Sequence, residues 1–461
     1  MSANSESGSS DGNRAAHNGP TPAPAGPRKH DPYSALRLPE YRRFLLGHVI
    51  SIVGMQMQTA ATFWEVKRRT DDNFMLGLVG LVQFLPMIVL AIPAGQLLDR
   101  FDRRKIIIVA LCIVAASSAA LAAIAATDGP VWSMYACLFF TGVARVLQQP
   151  AKASFLPTLI PREAFSNAVT WNMSGFQLAA VGGPALAGLL IYLMNLAQHP
   201  LGLRGPEIVF AFDAFAALLF VGLLMSIRSP QRTAPNKAVT FESLLAGLRF
   251  VFENKIILAL MALDMFAVLL GGAVALLPTY AKDILKVGPG GYGLLQAAPA
   301  AGAVLMAATL AHLPPFRRSG RALLWAVAGF GAATIAFGLS RSFPLSLAML
   351  FLTGAFDNIS VVVRHTLVQL QTPDEMRGRV SAVNTMFIGT SNELGGFESG
   401  TVAKIFERPG DPMFGPTVSV VAGGLGTLLV VAAIGLSAKQ LRRVGRLDGN
   451  DDEQPQRPLT T

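Results

Sequence analysis

The chain has 461 residues, of which 52% are hydrophobic and only 14% charged, with a formal charge of +10. Soluble domains carry roughly 25% charged residues, so this composition excludes a water-soluble globular protein. The basic residues are scattered through short connections, which excludes the single basic face of a nucleic-acid binder, and the two cysteines, Cys112 and Cys137, sit inside apolar runs where they build no disulfide framework or metal site.

In chain order, residues 1–40 read as a disordered cytoplasmic tail, rich in Ser, Gly, Pro and Ala and lacking the apolar run of a signal peptide. Twelve membrane helices are then expected, at 44–64, 75–98, 106–126, 131–149, 167–193 and 208–227, and at 256–280, 292–311, 322–340, 344–368, 380–404 and 416–436. Each offers about the twenty residues that a helix needs to cross the hydrocarbon core. The first six make an N-terminal bundle over 41–227 and the last six a C-terminal bundle over 256–436. The cytoplasmic linker at 228–255 places Phe241, Leu244, Leu245, Leu248 and Phe252 on one helical face, as in a helix lying on the inner membrane surface. Residues 437–461 form a second disordered cytoplasmic tail.

The charges orient this topology. Even-numbered connections and both tails hold about 27 Lys and Arg, the odd-numbered connections about nine, which is the bias of cytoplasmic over external loops. Both termini are therefore expected in the cytoplasm. One connection runs against the trend, with Lys67, Arg68 and Arg69 on the external side beside Asp71 and Asp72. The strongest signal is the turn Gly95–Lys105, where two apolar segments are joined by a few residues that include Arg100, Arg103, Arg104 and Lys105. Gly95 suits a close helix approach and Asp99 a bond to a helix N-terminus.

The two halves repeat. A shift that carries Ala136 to Ala348 also carries Thr141-Gly142 to Thr353-Gly354, Pro161 to Pro373, Glu163 to Glu375, Asn172 to Asn384, Gly183 to Gly395 and Gly188 to Gly400. Six helices repeated in one orientation imply two bundles related by a pseudo-twofold axis along the membrane normal, with a cavity between them. The fold class is an all-α membrane protein.

Ionisable residues at membrane depth are functional candidates by default. They are Arg145, Asp213, Asp264, Asp357, Arg364, His365, Glu393 and Glu398. The repeat pairs Arg145 with Asp357, opposite charges at equivalent places, and a charge pair made in one state and broken in another is one expectation. Separate local partners for each are the other. Asp264, with Asp357 or Glu393 behind it, is the expected carrier of a coupling proton, while Glu393 and Glu398, five residues apart, point to different helix faces. Gly183, Pro184 and Gly188 read as a helix-packing motif.

The Gly95–Lys105 turn resembles the loop between helices two and three of the major facilitator superfamily, G-x-L-x-D-R-x-G-R-R/K. Gly95, Leu97, Asp99, Arg100, Arg103 and Arg104 match, and Asp102 stands where that pattern has Gly. Arg145-Val-Leu-Gln148 is similar to the superfamily's R-x-x-Q element, and Val181–Gly188 to its antiporter Gly-Pro motif. Gln56–Ala60, Phe155–Glu163 and Gln371–Val380 resemble the exporter branch that includes the enterobactin and macrolide efflux proteins. The resemblance implies a major facilitator fold in a bacterial inner membrane, with Gly95, Asp99, Arg100, Arg103 and Arg104 gating the inner side. It implies export of a small amphiphilic molecule driven by proton exchange, acting as a monomer, with no cofactor, no metal and no nucleic-acid partner. Import of a solute and a non-transporting sensor on the same scaffold remain alternatives. A phosphate-cradling G-x-x-x-x-G-K-[ST] is absent from the sequence, which argues against direct use of ATP. The scattered histidines argue against a membrane enzyme.

Overall fold

The computed structural model describes residues 31–197, 202, 204–227, 241–314, 316 and 318–442, and within these not the side chains of 91, 92, 95, 96, 98, 99, 241–244, 439 and 440. The tail before residue 31, the linker at 228–240 and the tail after 442 lie outside it, as does the side chain of Asp99. In a bilayer every backbone polar group must be paired internally, and the described chain is accordingly helical almost throughout. The long helices are α1 (Pro39–Thr70), α2 (Asn73–Arg100), α3 (Arg103–Ala126), α4 (Val131–Leu159), α5 (Arg162–Ala197) and α6 (Pro206–Met225). A short α7 (Phe241–Glu253) leads to α8 (Lys255–Leu270), α9 (Gly288–His312), α10 (Ser319–Leu339), α11 (Phe343–Gln371), α12 (Arg377–Ile405) and α13 (Phe414–Ser437).

Eleven segments among the described residues are long and apolar enough to cross a membrane. The helix expected at 380–404, α12, is as long as its neighbours but fails on composition, because Asn384, Ser391, Asn392, Glu393, Glu398 and Ser399 lie along it. The segment expected at 256–280 is broken. After α8 the chain passes Gly271-Gly272, makes a 3₁₀ turn at Ala273–Leu276 and ends in a π-helical turn at Tyr280–Ile284.

Within the first six helices α1 packs on α5 and α6, α3 on α4 and α6, and α2 on α4. Within the last six α9 packs on α11, α10 on α11 and α13, and α8 on α12 and α13. The main crossings between the sets are α2 with α12 and α5 with α9. The cores follow this division. At the end carrying the Asp71 turn, one apolar cluster draws on both sets, with Trp64, Leu76, Met134 and Phe210 beside Tyr280, Tyr292, Leu295 and Phe337. At the end carrying the Arg103 turn there are two clusters. Tyr41, Phe44, Ile107, Phe155 and Phe220 fill one, and Leu260, Met261, Leu323, Val363 and Val380 the other.

Two boundaries need adjusting at the edges. Residues 31–38, assigned to the 1–40 tail, are folded: Ala35 is fully buried, its N–H donates to Asn167 Oδ1 at 3.1 Å, and Trp171 Nε1 donates to Pro32 O at 3.1 Å. Leu441, assigned to the C-terminal tail, is fully buried in the last-half cluster. Helix α7 packs Leu248 and Val251 into the last-half cluster and leaves Leu245 and Phe252 exposed.

The misplaced positive charges at 67–69 also find an explanation. Helix α1 runs six residues past its expected end, so these residues are helical, and Glu65, buried among them, accepts hydrogen bonds from Arg68 and Arg69. Asp128 accepts from Arg68 at 3.0 Å and from Arg204 at 2.8 Å. Hydrogen bonds from Arg204 and then Arg68 hold the Asp128 carboxyl down at about 2. A depressed carboxyl stabilises the fold above its unfolded value near 3.9 and loses that contribution as pH falls toward the folded value. Amide exchange of the α3–α4 turn should therefore quicken between about pH 4 and pH 2, and Asp128→Asn should flatten that dependence.

Glycine sets the crossing of α9 with α11. A Cβ on Gly354 would overlap Pro299 O, and one on Gly302 would overlap Phe351 O, so α9 and α11 meet backbone to backbone. Gly354→Val should lower stability by about 1–3 kcal/mol, the usual cost of overpacking, seen as a lower unfolding temperature in detergent.

Candidate functional site: a cavity at the seam

Between the two sets of helices lies a cavity of about 420 Å³. Its first-half wall carries Thr59, Phe63, Gly80, Gln83 and Arg145, and its second-half wall carries Phe330, Asp357, Asn392, Glu393 and the broken stretch Gly271–Ala275. Ligand pockets commonly measure roughly 300–1,000 Å³ and set a few polar groups in an apolar lining, and this one has that character.

The approach of α2 to α12 brings the polar groups together. Gly80 lies where a Cβ would sit 2.6 Å from Glu393 O, so the α2 backbone runs directly against α12 at the level of the carboxylate. Arg145, from α4, donates from Nη1 to Gln83 Oε1 at 2.6 Å and from Nη2 to Thr59 Oγ1 at 3.3 Å. Asp357 and Glu393 line the same space, and neither makes a hydrogen bond or ion pair with a described residue. Arg145 and Asp357 thus share a cavity, as the repeat suggested, but Arg145 is engaged by Gln83 and Thr59 rather than by Asp357.

The other candidates lie elsewhere. Asp264 does not line the cavity; it forms an ion pair with Arg364 of α11, both residues buried in the apolar cluster of Leu260, Met261 and Val363. Glu398, one turn and a half along α12, accepts from Ser399 Oγ at 3.4 Å and is outside the lining. Asp213 is buried between α1, α3 and α6, where Ser118 Oγ donates to its Oδ2 at 2.6 Å and Gln58 Nε2 donates to Ser118 Oγ at 2.8 Å. The helix-packing motif touches two partners. A Cβ on Gly183 would sit 2.5 Å from Gln56 Cβ of α1, and one on Gly188 would sit 2.7 Å from Gly293 Cα of α9, next to the chain at Pro184.

In the basic turn, Arg103 Nη1 donates to Ser154 O of α4 at 3.4 Å and Arg104 Nη2 to Met225 O of α6 at 2.8 Å. Asp102, the departure from the resembled pattern, caps α3 by accepting from Arg104 N at 2.8 Å. Arg100 is exposed. These contacts stay within the first set of helices.

A second constellation, absent from the sequence expectations, closes the cavity at the Asp71 end. Lys67 is 3% exposed and bonds Asp71 and Asp283 at 2.9 Å each. Lys282 bonds Asp71 at 3.0 Å, Lys404 bonds Asp72 at 3.2 Å, and Thr279 Oγ1 donates to Asn73 Oδ1 at 2.7 Å. Below them Tyr292 OH donates to Ala60 O at 3.0 Å, with its ring stacked on Trp64, and a Cβ on Gly400 would lie 2.7 Å from Gly77 Cα. Every one of these contacts crosses from the first set to the second, apart from Lys67 to Asp71. The signal available in the sequence was the anomalous Lys67 itself.

A cavity lined by Arg145, Asp357 and Glu393 at the seam of two sets of membrane-length helices is the architecture of a membrane transporter. The chain belongs to the transmembrane secretion effector family of the major facilitator superfamily, whose family model matches residues 30–444. It is 26% identical over 408 residues to the enterobactin exporter EntS of Shigella boydii, covering 88% of this chain and 93% of that one. It is equally similar, over the same shares, to the enterobactin exporter EntS of Escherichia coli. Among solved structures, a bacterial homolog of the human lysosomal transporter Spinster, in an inward-facing and occupied conformation, superposes with a TM-score of 0.70 at 16% identity, covering 90% of this chain and 99% of that one. The major facilitator fold and the assignment to its exporters follow, and the protein is a multi-pass membrane transporter.

Because removing one member of a buried ion pair strands the other charge, Asp264→Asn should cost about 3 kcal/mol of stability. The double variant Asp264→Leu, Arg364→Met should recover much of it. Thermal unfolding of the three purified proteins in one detergent checks both expectations.

Proposed function

We propose that this protein exports a small amphiphilic molecule, a siderophore or a drug, across the bacterial inner membrane in exchange for protons. The observation that carries the proposal is the cavity itself, where Asp357 and Glu393 face open space without a bonding partner while the surrounding helices belong to both halves of the chain. A carboxylate in that position can hold a proton in one state and release it in another, and binding a molecule beside it biases the exchange. Asp264, paired with Arg364, serves the architecture of the second half instead.

The direction of the cavity follows from charge. The basic turns at Arg103 and at Arg318 belong on the cytoplasmic side, which also puts both termini there. The joined Asp71 end then faces outward, and the molecule is poised to load from the cytoplasm. Release requires Lys67 to leave Asp283, Lys282 to leave Asp71 and Lys404 to leave Asp72, while the separate clusters at the other end come together. The first six helices and the last six move as two bodies, and one copy of the chain supplies the whole pathway. The similarity to enterobactin exporters supports export over import, and siderophores are accordingly among the compounds to try.

The test uses everted membrane vesicles holding an imposed pH gradient, read by a pH-sensitive dye, with candidate siderophores and amphiphilic drugs added singly. The expected outcome is substrate-dependent collapse of the gradient that falls at least about tenfold in Asp357→Asn or Glu393→Gln at equal protein level. An unchanged gradient with a compound that the protein demonstrably transports would sink proton exchange.

A further inference from the structure

Resting on the reading of the cavity as the transport site, we propose that Gln83 is a positioning residue: its amide holds the Arg145 guanidinium on the first half and keeps it from closing onto Glu393 across the seam.

Arg145 has acidic neighbours and neutral partners. It interacts electrostatically with Asp213 of α6 and with Glu393 of α12, and it lines the cavity together with Asp357 of α11. Its hydrogen bonds nevertheless go to an amide and a hydroxyl, Gln83 Oε1 at 2.6 Å and Thr59 Oγ1 at 3.3 Å. Bonds from a guanidinium to an ionised carboxylate are the stronger kind, so this placement is one that the surrounding helices impose.

The imposition can be traced. Gln83 is buried on α2, and its Nε2 donates to Val79 O one turn back at 3.4 Å, which turns Oε1 toward Arg145. Thr59 Oγ1 donates to Met55 O at 2.9 Å and keeps its lone pairs for Nη2. Each support is anchored on its own helix, so α1, α2 and α4 meet at the guanidinium in bonds that lie wholly within the first half. An amide oxygen orients a cation without cancelling its charge.

What the hold prevents is a bond across the seam. Gly80, about one turn from Gln83, puts no side chain in front of Glu393: a Cβ there would lie 2.6 Å from Glu393 O and 3.5 Å from its Oε2. The carboxylate has no hydrogen bond or ion pair with a described residue, and Arg145 Nε is buried without an acceptor. Asp213 is the poorer alternative, since its Oδ2 takes the Ser118 hydroxyl and its Oδ1 lies against Gly54 of α1. Released from Gln83, the guanidinium turns to Glu393. That pair would fasten the halves at mid-seam, in addition to the Lys67–Asp283 tie, and would remove Glu393 from exchange.

The test reads opening of the outer end. Ala281 is fully buried there, in the cluster to which both halves contribute. In a chain carrying Ala281→Cys, with Cys112 and Cys137 replaced by alanine, an impermeant maleimide is added outside right-side-out vesicles and the labelling rate is measured. Gln83→Leu should slow labelling at least about tenfold. Adding Glu393→Gln should restore the rate, and adding Asp357→Asn should not. Gln83→Glu, which keeps an oxygen on Arg145, should label at the unaltered rate. Gln83→Met, of nearly the same length as glutamine, replaces the leucine variant if that one does not fold. Unchanged or faster labelling in the apolar variant overturns the inference, as does slowing that Glu393→Gln leaves in place or that Gln83→Glu shares. Labelling needs neither substrate nor pH gradient. A failure in these arms therefore leaves export standing, whereas absence of any export with these arms as expected removes the transport reading alone.

Discussion

The ammonium of Lys67 is the charge on which the arrangement of this molecule turns. It is almost wholly buried at a membrane edge, where an unpaired charge is costly, and it is held by Asp71 from its own half and Asp283 from the other. Withdrawal of Asp283 would leave the buried ammonium with Asp71 alone. The two halves are therefore tied at this end by electrostatics, and the tie lies above an apolar cluster to which both contribute. At the opposite end, among the described residues, the aromatic group around Phe44, Phe155 and Phe220 and the aliphatic group around Leu260, Met261 and Val363 are separate. A seam closed at one end and divided at the other leaves a pocket part-way along it, which is where the cavity lies.

The tie also explains why the glycines sit where they do. Close contact along α2 and α12 needs backbones that touch, and Gly77, Gly80 and Gly400 supply that contact. Glycine at these points leaves no side chain to fill the seam, so Glu393 and Gln83 on the same helices face across it without obstruction. Polarity in α12 has the same origin. Asn384, Ser391 and Ser399 of this helix are buried against protein, and Asn392 and Glu393 line the cavity.

Much of this was legible in the sequence, and the failures have a common cause. Long apolar runs identify membrane helices because length and composition alone decide whether a helix can span, so segments such as Arg103–Ala126 and Pro206–Met225 were readable to within a few residues. Depth in the membrane was readable too, which is why Arg145, Asp357, Glu393 and Asp264 all stood out. Azimuth was not. Asp264 and Asp357 lie at similar apparent depth, and only the packing of α8 on α11 turns Asp264 toward Arg364, a partner far along the chain. Lys67 was visible only as a violation of the charge bias, since the carboxylate that accounts for it, Asp283, follows a helix break that a smooth apolar profile conceals. Gly271-Gly272 marked that break, but paired glycines in an apolar run equally describe close packing.

The contacts of the basic turn add the last step. Asp102 caps α3, Arg103 reaches α4 and Arg104 reaches the end of α6, so three connections are locked to one another inside the first half. Their hydrogen bonds are indifferent to where the second half stands. What holds the halves together is concentrated at the Lys67 tie and in the cluster beneath it, and what holds the first half in shape is concentrated at the other end. The two tasks are therefore carried by different residues at opposite ends of the first set of helices. Asp357 and Glu393 lie between the two regions, in the cavity that both halves line.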